Sequence, residues 1–168
     1  ATLRNVKWRR DIPAVPTDAF KAMELRSEPP SPQERVFMTS GTTQGGTRGK
    51  HFHPRLDIYD LSMTRHFAQR FMRGATRLPM GILFPHEAAM PNSSLAHYLA
   101  LAMREFGSNG SRGFLTPQGL DLPGLWHWLD AAQRSGEPCA LLGASYSFVH
   151  VMDAMREQGL RFQLPAGS

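Results

Sequence analysis

The chain has one cysteine, three lysines and no long apolar run among its 168 residues. A single cysteine, Cys139, excludes an internal disulfide and offers no cysteine cluster for a metal ion. No apolar stretch approaches the roughly 20 residues of a membrane-spanning helix, and Ala1–Arg10 lacks the apolar core of a secretory signal peptide. These absences predict a protein without a membrane span, and a cytoplasmic, reducing environment is expected.

The positive charge of the chain comes mainly from arginine. Arginine supplies 16 of the 19 basic residues, and the formal net charge is +5. Such a charge is typical of nucleic-acid-binding proteins, but the arginines are scattered, and only Lys7-Trp8-Arg9-Arg10 combines a basic run with an aromatic residue. A solvated basic surface explains this pattern, and no nucleic-acid partner is expected.

Apolar periodicity alternates between short strands and longer helices along the chain. The pattern predicts strands over 36–38, 80–84, 113–115, 139–142 and 160–164, and helices over 19–25, 56–73, 95–106, 122–134 and 145–158. Strands that alternate with helices imply a mostly parallel sheet with helices on both faces. The sequence therefore predicts an α/β fold.

Residues 39–50, between the first strand and the helix that begins near Leu56, are almost all small, hydroxylated, glycine or basic. Glycines let backbone N–H groups converge, hydroxyls donate further hydrogen bonds, and Arg48 and Lys50 supply counter-charge. A strand–loop–helix unit of this composition predicts a nucleotide phosphate-binding loop. The alternative is a flexible Gly/Thr surface loop.

Two common phosphate-binding patterns do not fit this loop. The Walker pattern requires a glycine where Gln44 stands and a serine or threonine where His51 stands. The Rossmann spacing also fails, because Gly41 has no glycine two residues further on and Gly45 does not restore the pattern.

The segment Thr39-Ser40-Gly41-Thr42-Thr43 resembles the Thr-Ser-Gly-Thr-Thr-Gly core of the adenylate-forming superfamily of acyl-CoA synthetases and luciferases. More closely, the chain resembles the acyl-protein synthetases of the bacterial luminescence fatty-acid reductase complex. Three further matches follow the same order along the chain: Val15-Pro16-Thr17-Asp18-Ala19-Phe20-Lys21, Pro91-Asn92-Ser93-Ser94-Leu95 and Leu142-Gly143-Ala144-Ser145-Tyr146-Ser147-Phe148. The superfamily continues Gly-x-Pro-Lys-Gly, whereas Gln44–Lys50 contains no proline.

The resemblance implies a ligase that uses ATP and Mg²⁺ to convert a carboxylic acid, expected to be a fatty acid, into an acyl-adenylate. A protein or carrier thiol, such as that of an acyl reductase subunit, would then accept the acyl group. Arg48 or Lys50 would supply the catalytic counter-charge, and Thr43 would lie near Mg²⁺. The phosphate-binding residues implied by the resemblance are Thr39, Ser40, Gly41, Thr42, Thr43, Gly45 and Gly46.

The resemblance covers about the N-terminal half of an adenylate-forming fold. Residues 1–168 are therefore expected to form an N-terminal α/β portion that is inactive by itself. The alternative is a catalytically inactive module that binds a nucleotide or a protein partner.

A second group of site residues follows the later strands. The resemblance implies that Gly143, Ala144 and Ser145 line the acyl or nucleotide pocket. The same turn is similar to the nucleophile elbow of serine hydrolases, but Ser147 replaces the last glycine and His150 comes too early for the usual order of a triad. A helix cap is a third interpretation of Ser145.

Three histidines have competing interpretations. His86 follows a strand end, where ligands of parallel sheets bind, so it is assigned either to a pocket or to a loop surface. His51 and His53 form either a metal-binding edge or a solvated pair beside the loop. Cys139 is interpreted as a small core residue.

Overall fold

The computed structural model describes residues 6–39 and 47–168. The protein is a mixed α/β chain that forms two compact units, Ala1–Arg55 and Leu56–Ser168. None of the helices within the described ranges has the length and apolar character needed to cross a membrane.

The first unit contains an antiparallel pair of strands, β1 (Arg35–Met38) and β2 (Lys50–His53). Val36 is opposite Phe52, and Met38 is opposite Lys50. The prediction of a strand before the loop is confirmed, but the strand–loop–helix prediction is wrong, because β2 precedes the helix that begins at Leu56. The short β2, with its two histidines, does not have the alternation that identifies a strand from sequence.

The predicted helix over 19–25 is shorter than expected. A 3₁₀ helix spans Arg9–Asp11, and helix α1 spans only Ala19–Ala22. The chain is already extended at Met23. Beyond it Arg26 forms an ion pair with Glu34, and its guanidinium lies 3.7 Å from the ring centroid of Phe52. These contacts with the hairpin hold the segment away from the helical path that its local sequence favours.

The second unit is built on a parallel sheet of three strands. The central strand β3 (Met80–Leu83) pairs on one side with β4 (Arg112–Gly113). After β4, the two-residue strands β5 (Leu115–Thr116) and β6 (Gly119–Leu120) form a short antiparallel hairpin. On the other side of β3 lies β7 (Ala140–Gly143), and the strand order is β4-β3-β7.

Four helices accompany this sheet. Helix α2 (Leu56–Phe67) continues as a π-helix to Met72, and α3 spans Ser94–Phe106. Helix α4 spans Leu122–Ser135, and α5 spans Ser145–Glu157. The N-cap predicted in Asn92-Ser93-Ser94 is confirmed, because the Ser93 hydroxyl accepts a hydrogen bond from the N–H of Ala96 at 3.2 Å.

Side chains alternate between the two faces of the central strand. Met80 and Ile82 pack in a core with residues of α2 and α3. Leu83, the neighbour of Ile82, packs in a second core with residues of α4 and α5. A parallel sheet covered by helices on both faces is therefore confirmed for this unit.

The predicted strand over 160–164 is wrong. Leu160 donates its N–H to the carbonyl of Met155 at 2.9 Å, which completes the end of α5. The ring of Phe162 then stacks on that of Trp126 at a centroid distance of 5.8 Å, and the N–H of Gln163 donates to Oε1 of Gln133. Packing against α4 satisfies this apolar segment without a place in the sheet.

Candidate functional site

The predicted phosphate loop closes at a neck formed by Thr39 and Gly49. The N–H of Thr39 donates to the carbonyl of Gly49 at 3.0 Å. In return, the N–H of Gly49 donates to the Thr39 hydroxyl oxygen at 2.9 Å. Thr39 and Gly49, which follow β1 and precede β2, are therefore held together by two hydrogen bonds.

Helix α1 packs against the neck of the loop. Gly49 is buried, and a Cβ atom at this position would lie 3.5 Å from the carbonyl oxygen of Phe20 and 3.6 Å from Cγ of Lys21. The ring of Phe20 also stacks on that of His51 at a centroid distance of 4.7 Å. Phe20 and Lys21 of α1 therefore pack against the hairpin at Gly49 and His51.

The two basic residues after the loop have different surroundings. Lys50 is exposed, and its Nζ lies 3.8 Å from Oε1 of Glu24. Arg48 is also exposed and has no acidic partner in the part of the chain that the structure describes. The Arg48 guanidinium is therefore more available to an external anion than the Lys50 ammonium.

Most of the predicted phosphate-binding residues lie outside the described residues. These are Ser40, Gly41, Thr42, Thr43, Gly45 and Gly46. Thr39 is described, and its hydroxyl oxygen is engaged at the neck. Thr39 therefore helps to close the hairpin.

The two histidines of β2 contact aromatic rings. His51 stacks on Phe20, and the His53 ring lies 5.2 Å from that of Phe37. Over residues 6–39 and 47–168, no group of three metal-ligating side chains could hold a metal ion. Both histidines are half-buried and pack on aromatic rings, a role that neither interpretation from sequence included.

The carboxyl-terminal edge of the parallel sheet carries the second group of predicted site residues. A small cavity of about 60 Å³ lies there, lined by apolar side chains of β3 and α3 together with His86 and Glu87. His86 is exposed, and its Nδ1 accepts a hydrogen bond from the N–H of Ala88 at 3.2 Å. His86 thus shapes the turn after β3 and stands beside the cavity.

Gly143, Ala144 and Ser145 form the turn from β7 into α5 and do not line this cavity. Gly143 is paired with Leu83, and a Cβ atom at Gly143 would lie 2.8 Å from both the Cβ and the carbonyl oxygen of Leu83. Ala144 is the N-cap residue of α5. Close packing between the strands therefore accounts for the glycine at position 143.

Ser145 has no hydrogen-bonded base in the described chain. It is exposed, and the ring of His150 instead meets that of Tyr146 edge-on at a centroid distance of 4.6 Å. Asp153 forms an ion pair with Arg156 at 2.9 Å. The geometry gives no support to a serine hydrolase triad at this turn.

The main polar cluster of the second unit was not predicted from sequence. His97 is only 5% exposed, and its Nδ1 and Nε2 each lie 2.7 Å from a carboxylate oxygen, of Glu87 and of Asp60 respectively. Burial, with nearby Tyr98 and Asp60, raises the pKa of Tyr59, whose ring lies 5.8 Å from that of His97. The one signal in sequence was a histidine on the apolar face of a helix, which fits a core residue as well.

Cys139 lies immediately before β7 and is 1% exposed, which confirms its interpretation as a core residue. Burial raises the pKa of its thiol above the ordinary value of 9.0, although a hydrogen bond with the Ser168 side chain opposes the shift. The residue adjoins an open groove of about 640 Å³ at the amino-terminal edge of the sheet.

We expect Cys139 to react with a disulfide reagent at pH 8 about 100-fold more slowly in the folded chain than in urea, because burial disfavours the thiolate and blocks access. Absorbance of the released thiol measures both rates. Reaction at equal rates would contradict the burial of Cys139 and would make it available as an acyl acceptor.

The chain was also compared with known proteins. No protein-family model, curated protein or solved structure matches it.

Proposed function

We propose that this chain supplies the phosphate-binding loop of an adenylate-forming ligase. Such an enzyme would activate a carboxylic acid, expected to be a fatty acid, with ATP and Mg²⁺ and pass the acyl group to a protein or carrier thiol. The sequence of the loop supports the proposal through its resemblance to the Thr-Ser-Gly-Thr-Thr core. The α/β unit that follows would be part of an incomplete N-terminal portion of that fold.

The observation that carries the proposal is the neck of the hairpin. Two hydrogen bonds between Thr39 and Gly49 bring the start of the hydroxyl-rich segment next to its basic end. Thr39, the first hydroxyl residue of the motif, and Arg48, the neighbour of Gly49, thereby stand at the two joined ends of the loop. A polyphosphate needs both kinds of group within a few ångströms of each other.

The chain's own residues would act mainly by positioning charge. Backbone N–H groups and hydroxyls of the loop would hold the β- and γ-phosphates in place, and Arg48 would balance the charge that grows as pyrophosphate leaves. Mg²⁺, bound with ATP, would supply further charge neutralisation. The carboxylate of the acid attacks the α-phosphorus, the acyl-phosphate bond forms, and the bond to pyrophosphate breaks.

Arg48 is favoured over Lys50 as the counter-charge. The Nζ of Lys50 lies 3.8 Å from the Glu24 carboxylate, which offsets part of its charge. A guanidinium also offers a planar fork of donors that matches two phosphate oxygens at once. Lys50 is assigned a supporting role at the neck.

The proposal is tested by carboxylate-dependent exchange between ATP and labelled pyrophosphate. We expect the double variant Thr42→Ala, Thr43→Ala to lower the exchange rate by at least about 10²–10³, because one preorganised donor is worth that much in comparable sites. The assay uses this chain and any longer polypeptide that contains it, with a panel of carboxylic acids.

Thr116→Ala is the matched control, because Thr116 is an exposed threonine of the second unit whose hydroxyl bonds only within the β5–β6 hairpin. It should leave exchange unchanged. Exchange that survives the loop substitutions at the wild-type rate would remove the assignment of the loop.

A further inference from the structure

The groove beside Cys139, at the amino-terminal edge of the parallel sheet, has no assigned role. Its volume of about 640 Å³ is within the range of small-molecule binding sites. One side is formed by the segments that lead into the strands, and the other by the C-terminal half of α4. We call it the amino-edge groove, and the residues that line it include Arg77, Asn109, Trp128, Ala131, Ala132 and Glu137.

Hydrogen bonds fix the two sides of the amino-edge groove. The indole N–H of Trp128 on α4 donates to the carbonyl of Gly110 at 2.7 Å. The Trp128 ring also meets that of the buried Phe114 edge-on, at a centroid distance of 5.8 Å. A guanidinium N–H of Arg77 donates to the carbonyl of Gly107. The groove is therefore formed before a ligand arrives, which lowers the cost of binding.

The strand register brings one cation and one anion to the same edge of the sheet. Met80 and Ala140 are paired in adjacent parallel strands, and Arg77 and Glu137 each stand three residues before them. The N–H of Ala140 donates to the carbonyl of Pro79 at 2.9 Å, so the two chains are already joined at the start of the strands. Neighbouring strands lie about 4.8 Å apart. Arg77 and Glu137 thus enter the sheet side by side, and both line the groove.

The two charges do not neutralise each other. Both residues are exposed, and neither has an ion-pair partner within residues 6–39 and 47–168. Arg77 uses one N–H on the Gly107 carbonyl, and a guanidinium has five. Glu137 follows the C-terminal end of α4, where the last carbonyls of the helix add negative potential. The groove therefore favours an anion at Arg77 and a cation at Glu137.

We propose that the amino-edge groove binds a small zwitterion with an apolar side chain, the chemistry of a free α-amino acid or a short peptide. The ligand carboxylate accepts hydrogen bonds from Arg77, and the ligand ammonium donates to Glu137. The apolar side chain packs on Trp128, Ala131 and Ala132. A ligand with a single charge leaves one of the two groove charges without a partner. The inference concerns the second unit alone and does not rest on the proposed function.

Blocked analogues test this inference on the wild-type chain. We expect calorimetry to give leucine a Kd below about 1 mM. Leucinamide, which lacks the carboxylate, and N-acetyl-leucine, which lacks the ammonium, should each bind about tenfold or more weakly, because one charge-assisted contact is lost. The dipeptide leucyl-leucine distinguishes the two sources of the ligand. Tighter binding of the dipeptide than of leucine assigns a peptide, and weaker binding assigns the free amino acid.

Two variants assign the ligand charges to their partners. Arg77→Met should weaken leucine binding about tenfold and leave leucinamide binding no weaker than in the wild type, because that analogue has no carboxylate to lose. Glu137→Gln should do the same for leucine and spare N-acetyl-leucine. Arg161→Met and Glu157→Gln are the matched controls, since both residues are exposed and the changes in net charge are identical. The controls should bind leucine as the wild type does.

The position of the ligand is measured by nuclear magnetic resonance. The chain has three tryptophans, and Trp128→Phe identifies the indole N–H signal of Trp128. Leucine should shift this signal, because the indole lines the groove.

Three results would overturn the inference. No heat from leucine or phenylalanine at about 10 mM would remove the ligand. Blocked analogues that bind as tightly as leucine would leave an apolar groove without charge recognition. Leucine binding with an unchanged Trp128 signal would place the ligand elsewhere. If Arg77→Met unfolds the chain, the analogue series and the Trp128 signal in the wild type decide.

Discussion

Replacing His97 with alanine is expected to lower the free energy of unfolding of the second unit by about 3–5 kcal/mol, the range found when one partner of a buried ionic cluster is removed. His97 contacts Asp60 of α2 and Glu87 of the β3–α3 turn, each at 2.7 Å. At roughly 2–4 °C per kcal/mol for a chain of this size, the melting temperature should fall by about 6–20 °C.

The size of the effect comes from the carboxylates that remain. Asp60 and Glu87 have side chains only 29% and 25% exposed, so water screens them poorly. Each nitrogen of the His97 ring lies within hydrogen-bond distance of one of these two carboxylates. Without it, two like charges face each other across the vacated space, and a cavity adds to the cost.

This origin predicts a rescue. Asp60→Asn combined with Glu87→Gln should recover about half or more of the stability lost in His97→Ala, because neutral amides do not repel each other. Thermal unfolding followed by circular dichroism measures the series. His127→Ala is the control, since His127 lies on the exposed side of α4 and should cost little. A rescue variant no more stable than His97→Ala would show that lost packing, not charge, sets the effect.

The local sequence pattern correctly predicted most helices and strands of the second unit. Helices α3, α4 and α5 begin and end within one or two residues of their predicted bounds, because apolar periodicity and caps such as Ser93 are encoded within each segment. Strand β3 was also predicted correctly, because a strand whose four residues are all buried appears in the sequence as one continuous apolar run.

The elements that were predicted wrongly or missed all depend on contacts with residues elsewhere in the chain. Lys50–His53 forms a strand by pairing with β1. Residues 160–164 pack on Trp126 and Gln133 of α4 and do not join the sheet. The cluster around His97 joins three positions far apart in the chain. Neither periodicity nor motif spacing contains such long-range contacts, so no local argument could have found them.

The predicted pocket glycine gives the second large effect. We expect Gly143→Ala to lower the free energy of unfolding by about 2–3 kcal/mol, because overpacking against a rigid neighbour costs this much. The new Cβ would stand 2.8 Å from the Cβ and the carbonyl oxygen of Leu83, and the carbonyl is backbone of the central strand that cannot turn aside. Urea unfolding measures the change.

Gly113→Ala is the matched control, because Gly113 stands at the corresponding end of β4, on the other side of β3, with open space where its Cβ would be. It should change stability by less than about 1 kcal/mol. A destabilised Gly143→Ala beside a neutral Gly113→Ala would explain Gly143 by strand packing alone. If Gly143→Ala instead folds normally and changes only ligand binding, the contact with Leu83 does not govern this position, and the pocket interpretation of Gly143 gains direct support.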